Sequence, residues 1–131
     1  MYLLPFSNFD SLQLDHKKKQ LSVRKMFMRW EELVSSGTTP SIKNHTATLV
    51  DNWLYVFGGY DGRRNHNALH ILDCEKQCWI PPPVLAGPTP AGRNGHTATF
   101  ADRRIFIIGG WLGAGPLAAS DMHILHVGWC T

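Results

Sequence analysis

Short apolar runs separated by turn signals dominate the chain. Thr46–Val50 is a Thr-rich run that follows proline and glycine residues, and a run of Val, Ile, Phe and Tyr ends at each of two glycine pairs. Ala68–Leu72 and a stretch that ends at Trp79 complete the pattern. A continuous apolar run of this length, bounded by glycines, is typical of a strand buried on both faces. The pattern therefore predicts units of four short strands, with no clean helical stripe between them.

The same unit occurs twice. The His-Thr-Ala-Thr segment at 45–48 returns at 96–99, and the first glycine pair returns as the second at the same shift. Tryptophans recur at a similar interval. The positions that recur are His45, Gly58, Gly59, Trp79, His96, Gly109, Gly110 and Trp129. Because residues that recur in every unit usually serve the fold, we assign these positions structural roles.

A repeated four-stranded meander of about 50 residues is the signature of a propeller blade. One twisted sheet leaves its faces in water, but stacked sheets cover each other, which accounts for second strands that are apolar on both sides. A glycine pair leaves room for a neighbouring backbone and tolerates unusual turn dihedrals. The recurring tryptophan suits a wedge between adjacent sheets.

The order of these motifs resembles the kelch repeat. His-Thr, an apolar run, Gly-Gly, a polar loop, a strand and then Trp occur over Lys43–Trp79 and again over Arg93–Trp129. The first unit departs from the kelch pattern at one place, because Ile42 stands where the resemblance leads one to expect an arginine. The resemblance implies an all-β fold of kelch-type β-propeller blades, each a four-stranded antiparallel meander, in an incomplete ring of about two to two and a half blades.

We divide the chain into a basic N-terminal segment (1–29), a first repeat (30–79) and a second repeat (80–131). Leu12–Asp15 and Met26–Trp30 are interpreted as the last strands of a preceding blade. Two blades do not close a ring. We favour a fragment or shortened product of a longer protein, with self-association as the other way to supply the missing blades.

Composition and charge limit the function classes. The chain has 131 residues, 44% hydrophobic and 18% charged, which suits one globular domain. Its net charge of +3 arises from the first 29 residues, where Lys17–Lys19 is either a localisation signal or a solvated loop. We predict no nucleic-acid partner, because the basic side chains are not spread over a folded face.

The number of cysteines and the length of the apolar runs bear on the cellular location of the protein. Three cysteines are too few for a disulfide framework, and the N-terminus has no signal-peptide pattern. No apolar run is long enough to span a membrane. We therefore expect a soluble cytoplasmic protein without a membrane partner, with the nucleus as the alternative.

No catalytic constellation stands out. Cys74 and Cys78 lack the second ligand pair that zinc needs, and the glycine pairs do not have phosphate-loop spacing. We predict no metal site, no cofactor and no enzymatic activity. The alternative is a fragment of a kelch-like propeller enzyme of the oxidase, sugar-modifying or metal-dependent lyase type, which the family resemblance also permits.

Binding is predicted from position. In an up-and-down meander, the loops after the second strands and the linkers between blades share one face, which we call the loop face (31–44, 60–67, 80–95 and 111–120). Its aromatic, acidic and arginine side chains are Tyr60, Asp61, Arg63, Arg64 and Trp111. Aromatic and arginine residues are enriched in binding hot spots. We predict a non-catalytic protein-interaction module, an adaptor or scaffold for which the resemblance permits a ubiquitin-ligase substrate, a cytoskeletal filament or a small GTPase as partner.

Overall fold

The computed structural model describes residues 27–81 and 84–128, and seven β-strands lie within them. The strands are β1 (Thr46–Val50), β2 (Trp53–Phe57), β3 (Leu69–Asp73), β4 (Cys78–Ile80), β5 (Thr97–Ala101), β6 (Arg104–Ile108) and β7 (Met122–His126). None of the described residues is helical, so this part of the chain contains no helix able to cross a membrane. The all-β fold class predicted from the sequence is confirmed.

The chain divides into two units, Met1–Glu32 and Leu33–Thr131, and all seven strands belong to the second. Of the first unit, residues 27–32 are described, and they have no regular secondary structure. The strand interpreted at Met26–Trp30 is therefore not seen over its described part. The strand interpreted at Leu12–Asp15 and the lysine run after it lie outside the described residues.

Two antiparallel sheets make up the second unit. The first sheet has the order β1-β2-β3-β4, and the second has the order β5-β6-β7. Thr46 pairs with Phe57 in the first sheet, and Thr97 pairs with Ile108 in the second, so the inner hairpins share one register. β3 begins one residue later than the predicted Ala68. This common register makes equivalent positions in the two sheets directly comparable.

The core lies between the two sheets. On the side of the first sheet that faces the second, Phe57, Leu69 and Ile71 are only 7%, 6% and 5% exposed. Ile105 and Ile107 of the second sheet face them and are also buried. Each sheet thus covers one apolar side of the other, as the repeat pattern predicts.

The second strands of the two units differ in how they are covered. In β2, Val56 and Phe57 point to opposite sides of the sheet and both are buried, as expected for a strand buried on both faces. In β6, Ile107 is buried but the next residue, Ile108, is 44% exposed. One side of the second sheet is therefore open to solvent.

The innermost strands, β1 and β5, bring the two sheets together. His96, just before β5, is 5% exposed, and its Nε2 forms a 2.8 Å hydrogen bond with Thr46 Oγ1. Its ring packs edge-on against Phe57, with the ring centroids 5.5 Å apart. Nδ1 of His96 is buried and has no hydrogen-bond partner within the described residues. A protonated ring would carry an unsatisfied N–H there, so this contact favours the neutral imidazole.

Gly58 lies against the segment that leads into β5. It has a φ of +68°, and a Cβ there would come within 2.8 Å of the Arg93 carbonyl oxygen. The neighbouring Gly59 N–H donates to that same carbonyl at 2.8 Å. Gly109, at the equivalent position, has a φ of +67°, but a Cβ there would meet nothing closer than 3.5 Å. Gly58 is thus needed for conformation and for close approach, whereas Gly109 is needed for conformation alone.

We expect Gly58→Ala to lower the free energy of unfolding by about 2–4 kcal/mol, because backbone strain adds to a clash with the second sheet. Gly109→Ala is the matched control and should cost about 1–2 kcal/mol, since it introduces the strain alone. Denaturant unfolding followed by tryptophan fluorescence measures both. Equal losses for the two variants would contradict the contact assigned to Gly58.

The His96 contact also predicts a pH dependence. Burial lowers the pKa of His96, and the positive charge of Arg93 adds to the effect. The unfolded chain therefore takes up the proton first, and folding stability is lost as pH falls below about 6.5, the ordinary histidine pKa. Denaturant unfolding across this pH range should show a steeper loss for the parent chain than for His96→Gln, which has no proton to gain. Identical slopes would remove His96 as the cause.

Candidate protein-interaction site

Asp61 shapes the loop between β2 and β3. Its Oδ1 accepts hydrogen bonds from the backbone N–H groups of Arg63 and Arg64 at 2.8 and 2.9 Å. Its Oδ2 lies 2.7 Å from His66 Nε2. These bonds, led by that from Arg64, hold the pKa of Asp61 well below its usual range. Both carboxylate oxygens are therefore used inside the loop, and Asp61 fixes the loop conformation rather than offering a free negative charge.

The tip of this loop is basic. The side chains of Arg63 and Arg64 are exposed, and neither guanidinium pairs with a carboxylate within the described residues. Tyr60 is half-buried at the start of the loop, with the Lys43 ammonium 5.6 Å from its ring centroid. The loop thus presents two guanidinium groups to solvent, and an ammonium group lies near the aromatic ring at its start.

Trp111 occupies the position in the second unit that Tyr60 occupies in the first. Its backbone pairs with Asn94 through two hydrogen bonds, just as that of Tyr60 pairs with Lys43. The indole Nε1 donates to the Gly115 carbonyl at 2.9 Å, and the side chain remains 42% exposed. Its orientation is fixed by its own loop, and part of the ring remains available for contact.

Asn65 joins the two loops, a role that sequence reasoning missed. Its Nδ2 donates to the Trp111 carbonyl at 3.0 Å, and its Oδ1 accepts from Asn94 Nδ2 at 2.6 Å. Asn44 Nδ2 lies 3.5 Å from Asn94 Oδ1 at the edge of the same cluster. The structure thus brings both predicted loops together. The recurrence of asparagine shortly before the histidine of each unit marks Asn44 and Asn94, but no repeat marks Asn65.

Arg93 connects the two ends of the loop between β6 and β7. The side chain is fully buried, and its two terminal nitrogens bind both oxygens of Asp121 at 2.7 and 2.8 Å. Nη1 also donates to the Gly109 carbonyl at 2.8 Å. The Arg93 guanidinium, together with His123, holds the pKa of Asp121 well below its usual range. Both ends of the loop that carries Trp111 are therefore fixed by one side chain.

The positions predicted to be structural are found in different environments. His96 is buried between the sheets, but His45 at the equivalent position is exposed. Trp79 is half-buried in β4, and its Nε1 donates to Thr39 Oγ1 of the linker before the first sheet at 3.1 Å. Trp129 lies outside the described residues. The structural roles assigned to His45 and Trp129 therefore stay predictions.

Metal-ligand chemistry is sparse in the described part of the chain. No three His, Cys, Asp or Glu side chains come together there in an arrangement that could hold a metal ion. Cys74 is exposed and Cys78 half-buried, and both are free thiols. The groups that converge are instead backbone carbonyls, side-chain amides and the Arg93 guanidinium, which hydrogen-bond within this cluster and hold the two loops in place.

Known proteins resemble the chain over most of its length. The KLHDC2/KLHL20/DRC7 Kelch-repeats domain matches residues 10–130. The Rab9 effector protein with kelch motifs of Bos taurus is 31% identical over 108 residues, which are 79% of this chain and 28% of that protein. Kelch domain-containing protein 3 of Bos taurus is 25% identical over 114 residues, 79% of this chain and 30% of that protein.

A probable serine/threonine-protein kinase of Dictyostelium discoideum is 40% identical over 79 residues, 59% of this chain and 6% of that protein. The chain spans less than a third of each of these three relatives. The Kelch-repeats model and the kelch-motif relatives support a protein-interaction module. Because the Kelch-repeats model covers nearly every residue, including both antiparallel sheets, the chain belongs to the kelch-repeat family.

Proposed function

We propose that the chain is a protein-interaction module, an adaptor or scaffold, that binds an acidic segment of a partner protein at the loop face. One observation carries the proposal. Arg63 and Arg64 are exposed without a carboxylate partner in the described residues, in a loop whose own acid is already fully bonded. The kelch-repeat relatives support the interaction class.

The charge balance around the loop at 60–67 favours an acidic partner. Lys43, Arg63 and Arg64 contribute positive charge, while the charge of Asp61 is turned inward to backbone N–H groups. The planar guanidinium group of arginine matches a carboxylate through two parallel hydrogen bonds. Trp111 adds a fixed aromatic surface beside these cations, and arginine and tryptophan are common hot-spot residues.

The partner class remains part of the proposal. The bovine relative is named a Rab9 effector, so a small-GTPase-linked adaptor is one form of the function proposed here. Ubiquitin-ligase substrate recognition and binding to a cytoskeletal filament are the others. We place this action in the cytoplasm or nucleus, where a partner segment rich in Asp and Glu would meet the loop face.

We expect Arg63→Gln/Arg64→Gln to weaken partner binding at least about tenfold, equivalent to about 1.4 kcal/mol, because it removes both guanidinium charges but keeps polar side chains. Trp111→Ala should weaken the same interaction. The measurement is quantitative affinity capture with the purified full chain, followed by titration of the captured partner. Binding should also fall as ionic strength rises.

The chain supplies a charge-matched control. Arg103 and Arg104 are also adjacent: Arg103 lies in the turn between β5 and β6, and Arg104 begins β6 and pairs with Asp102 at 2.8 Å, away from the loops after the second strands. Arg103→Gln/Arg104→Gln should retain the partner that Arg63→Gln/Arg64→Gln loses. A partner that is lost equally from both variants, or retained by both, would rule out the loop face as its binding site.

A further inference from the structure

A cavity lies between the two sheets, beside the contact of β1 with β5. Its volume is about 100 Å³, and its walls include Phe57 and Leu69 of the first sheet and Ile105 and Ile107 of the second. Residues 85–90 of the linker between the sheets form a further wall. The four side chains from the sheets are all buried. The cavity is therefore largely apolar, and the sheets shield it from bulk solvent on two sides.

The size of the cavity limits what it can hold. Apolar cavities of about 150 Å³ that are lined by Leu, Ile and Phe stay dry and bind benzene. A cavity of about 100 Å³ with the same kinds of side chain therefore suits a single small ring and no larger group. Phe57 and Tyr55 in its walls favour an aromatic ring, because aromatic pairs gain stability beyond that from buried area.

Two polar groups in the walls have unused hydrogen-bonding capacity. Thr48 is only 9% exposed, yet its hydroxyl has no partner among the residues that the structure describes. His123 also lines the cavity, and its Nδ1 forms no hydrogen bond within residues 27–81 and 84–128. Buried polar groups in proteins are normally hydrogen-bonded. A ligand that carries one polar group would supply the partner that the fold itself does not.

The Asp121 carboxylate determines which nitrogen of His123 is the acceptor. Arg93 binds both oxygens of Asp121, which favours the charged carboxylate. A charged carboxylate only accepts hydrogen bonds, so His123 Nε2, which lies 2.8 Å from Oδ2, carries a proton. In the neutral imidazole, Nδ1 is then an acceptor. The cavity wall thus contains an acceptor whose tautomer is fixed by Arg93 and Asp121.

We propose that this cavity binds a small phenol as a free molecule, with the ring between the sheets and the hydroxyl donating to His123 Nδ1. A phenolic hydroxyl donates one hydrogen bond and accepts another, so it also matches the unpartnered hydroxyl of Thr48. Sites for small molecules are typically apolar cavities with a few such polar groups. The proposal is independent of the function proposed for the loop face, because Arg63, Arg64 and Trp111 do not line the cavity.

Isothermal titration calorimetry of the full 131-residue chain with phenol and with benzene tests the proposal. Ligands of this size reach about millimolar affinity. We expect phenol to bind about three- to tenfold more tightly than benzene, because it gains one hydrogen bond. The imidazole nitrogen resonances of His123 should shift more with phenol than with benzene.

Two substitutions locate the ligand. His123→Leu removes the acceptor but keeps a side chain of similar size, so phenol should lose its advantage over benzene. Ala98→Leu fills part of the cavity and should weaken both ligands at least about tenfold. Ala47→Leu is its matched control, because Ala47 is the equivalent residue of the first sheet and is exposed, and it should bind both ligands as the parent does. Circular dichroism confirms folding, and His123→Leu decides alone if Ala98→Leu does not fold.

A third probe, N-acetyltyrosinamide, separates a free phenol from the tyrosine side chain of a peptide. The cavity has room for a ring but not for the amide groups attached to it, so phenol should bind at least about tenfold more tightly. Equal or tighter binding of N-acetyltyrosinamide would assign the site to a peptide and overturn the proposal.

Three further results contradict the proposal. The absence of phenol binding at about 10 mM leaves the cavity to water. Equal affinities of the parent chain for phenol and benzene, or an advantage of phenol that survives His123→Leu, mean that the hydroxyl does not bind His123. Unchanged binding in a folded Ala98→Leu variant means that another surface holds the ring.

Discussion

The contact of His96 with Thr46 and Phe57 is the interaction on which the rest of the described fold depends. A single four-stranded sheet leaves apolar residues such as Leu69 and Ile71 in water unless a second sheet covers them. The histidine sits at the point where the innermost strands of the two sheets meet, and its ring is almost completely buried. Its neutral form is favoured because its second nitrogen has no acceptor within the described residues. The missing side chain of Gly58 then lets the backbone of the second sheet approach.

The segment that makes this contact also builds the loop face. Arg93 receives the Gly59 N–H at its carbonyl and donates its own N–H to the His66 carbonyl at the end of the first loop. The next residue, Asn94, pairs with Trp111 through its backbone and with Asn65 through its side chain. Packing of the sheets and placement of the loops therefore form one hydrogen-bond network. The arginines and Trp111 can face one partner because the sheets that carry them are held together.

The repeat in the sequence was enough to predict most of the strands, since apolar runs and glycine pairs mark their ends locally. β1 falls on the predicted residues, and β3 is displaced by one. The sequence did not distinguish His45 from His96, because equivalence within a repeat does not say which copy has a neighbour. It also gave no sign that Asp61 turns inward. That depends on the conformation of the loop, which places two backbone N–H groups and His66 around one carboxylate.

The two repeats hold equivalent loops by different means. Ile42 and Ala68 stand where the second unit has Arg93 and Asp121, so the first loop has no ion pair at its base and takes its shape from Asp61 within its own tip. The second loop is two residues longer and lacks such a turn, and a buried arginine joins its two ends instead. A buried guanidinium is stable only when it is paired, which explains why both members of the pair are absent together from the first unit. The backbone of Arg93 also hydrogen-bonds to Gly59 and His66 of the first unit, so the base of the loop that carries Trp111 is tied to the first sheet.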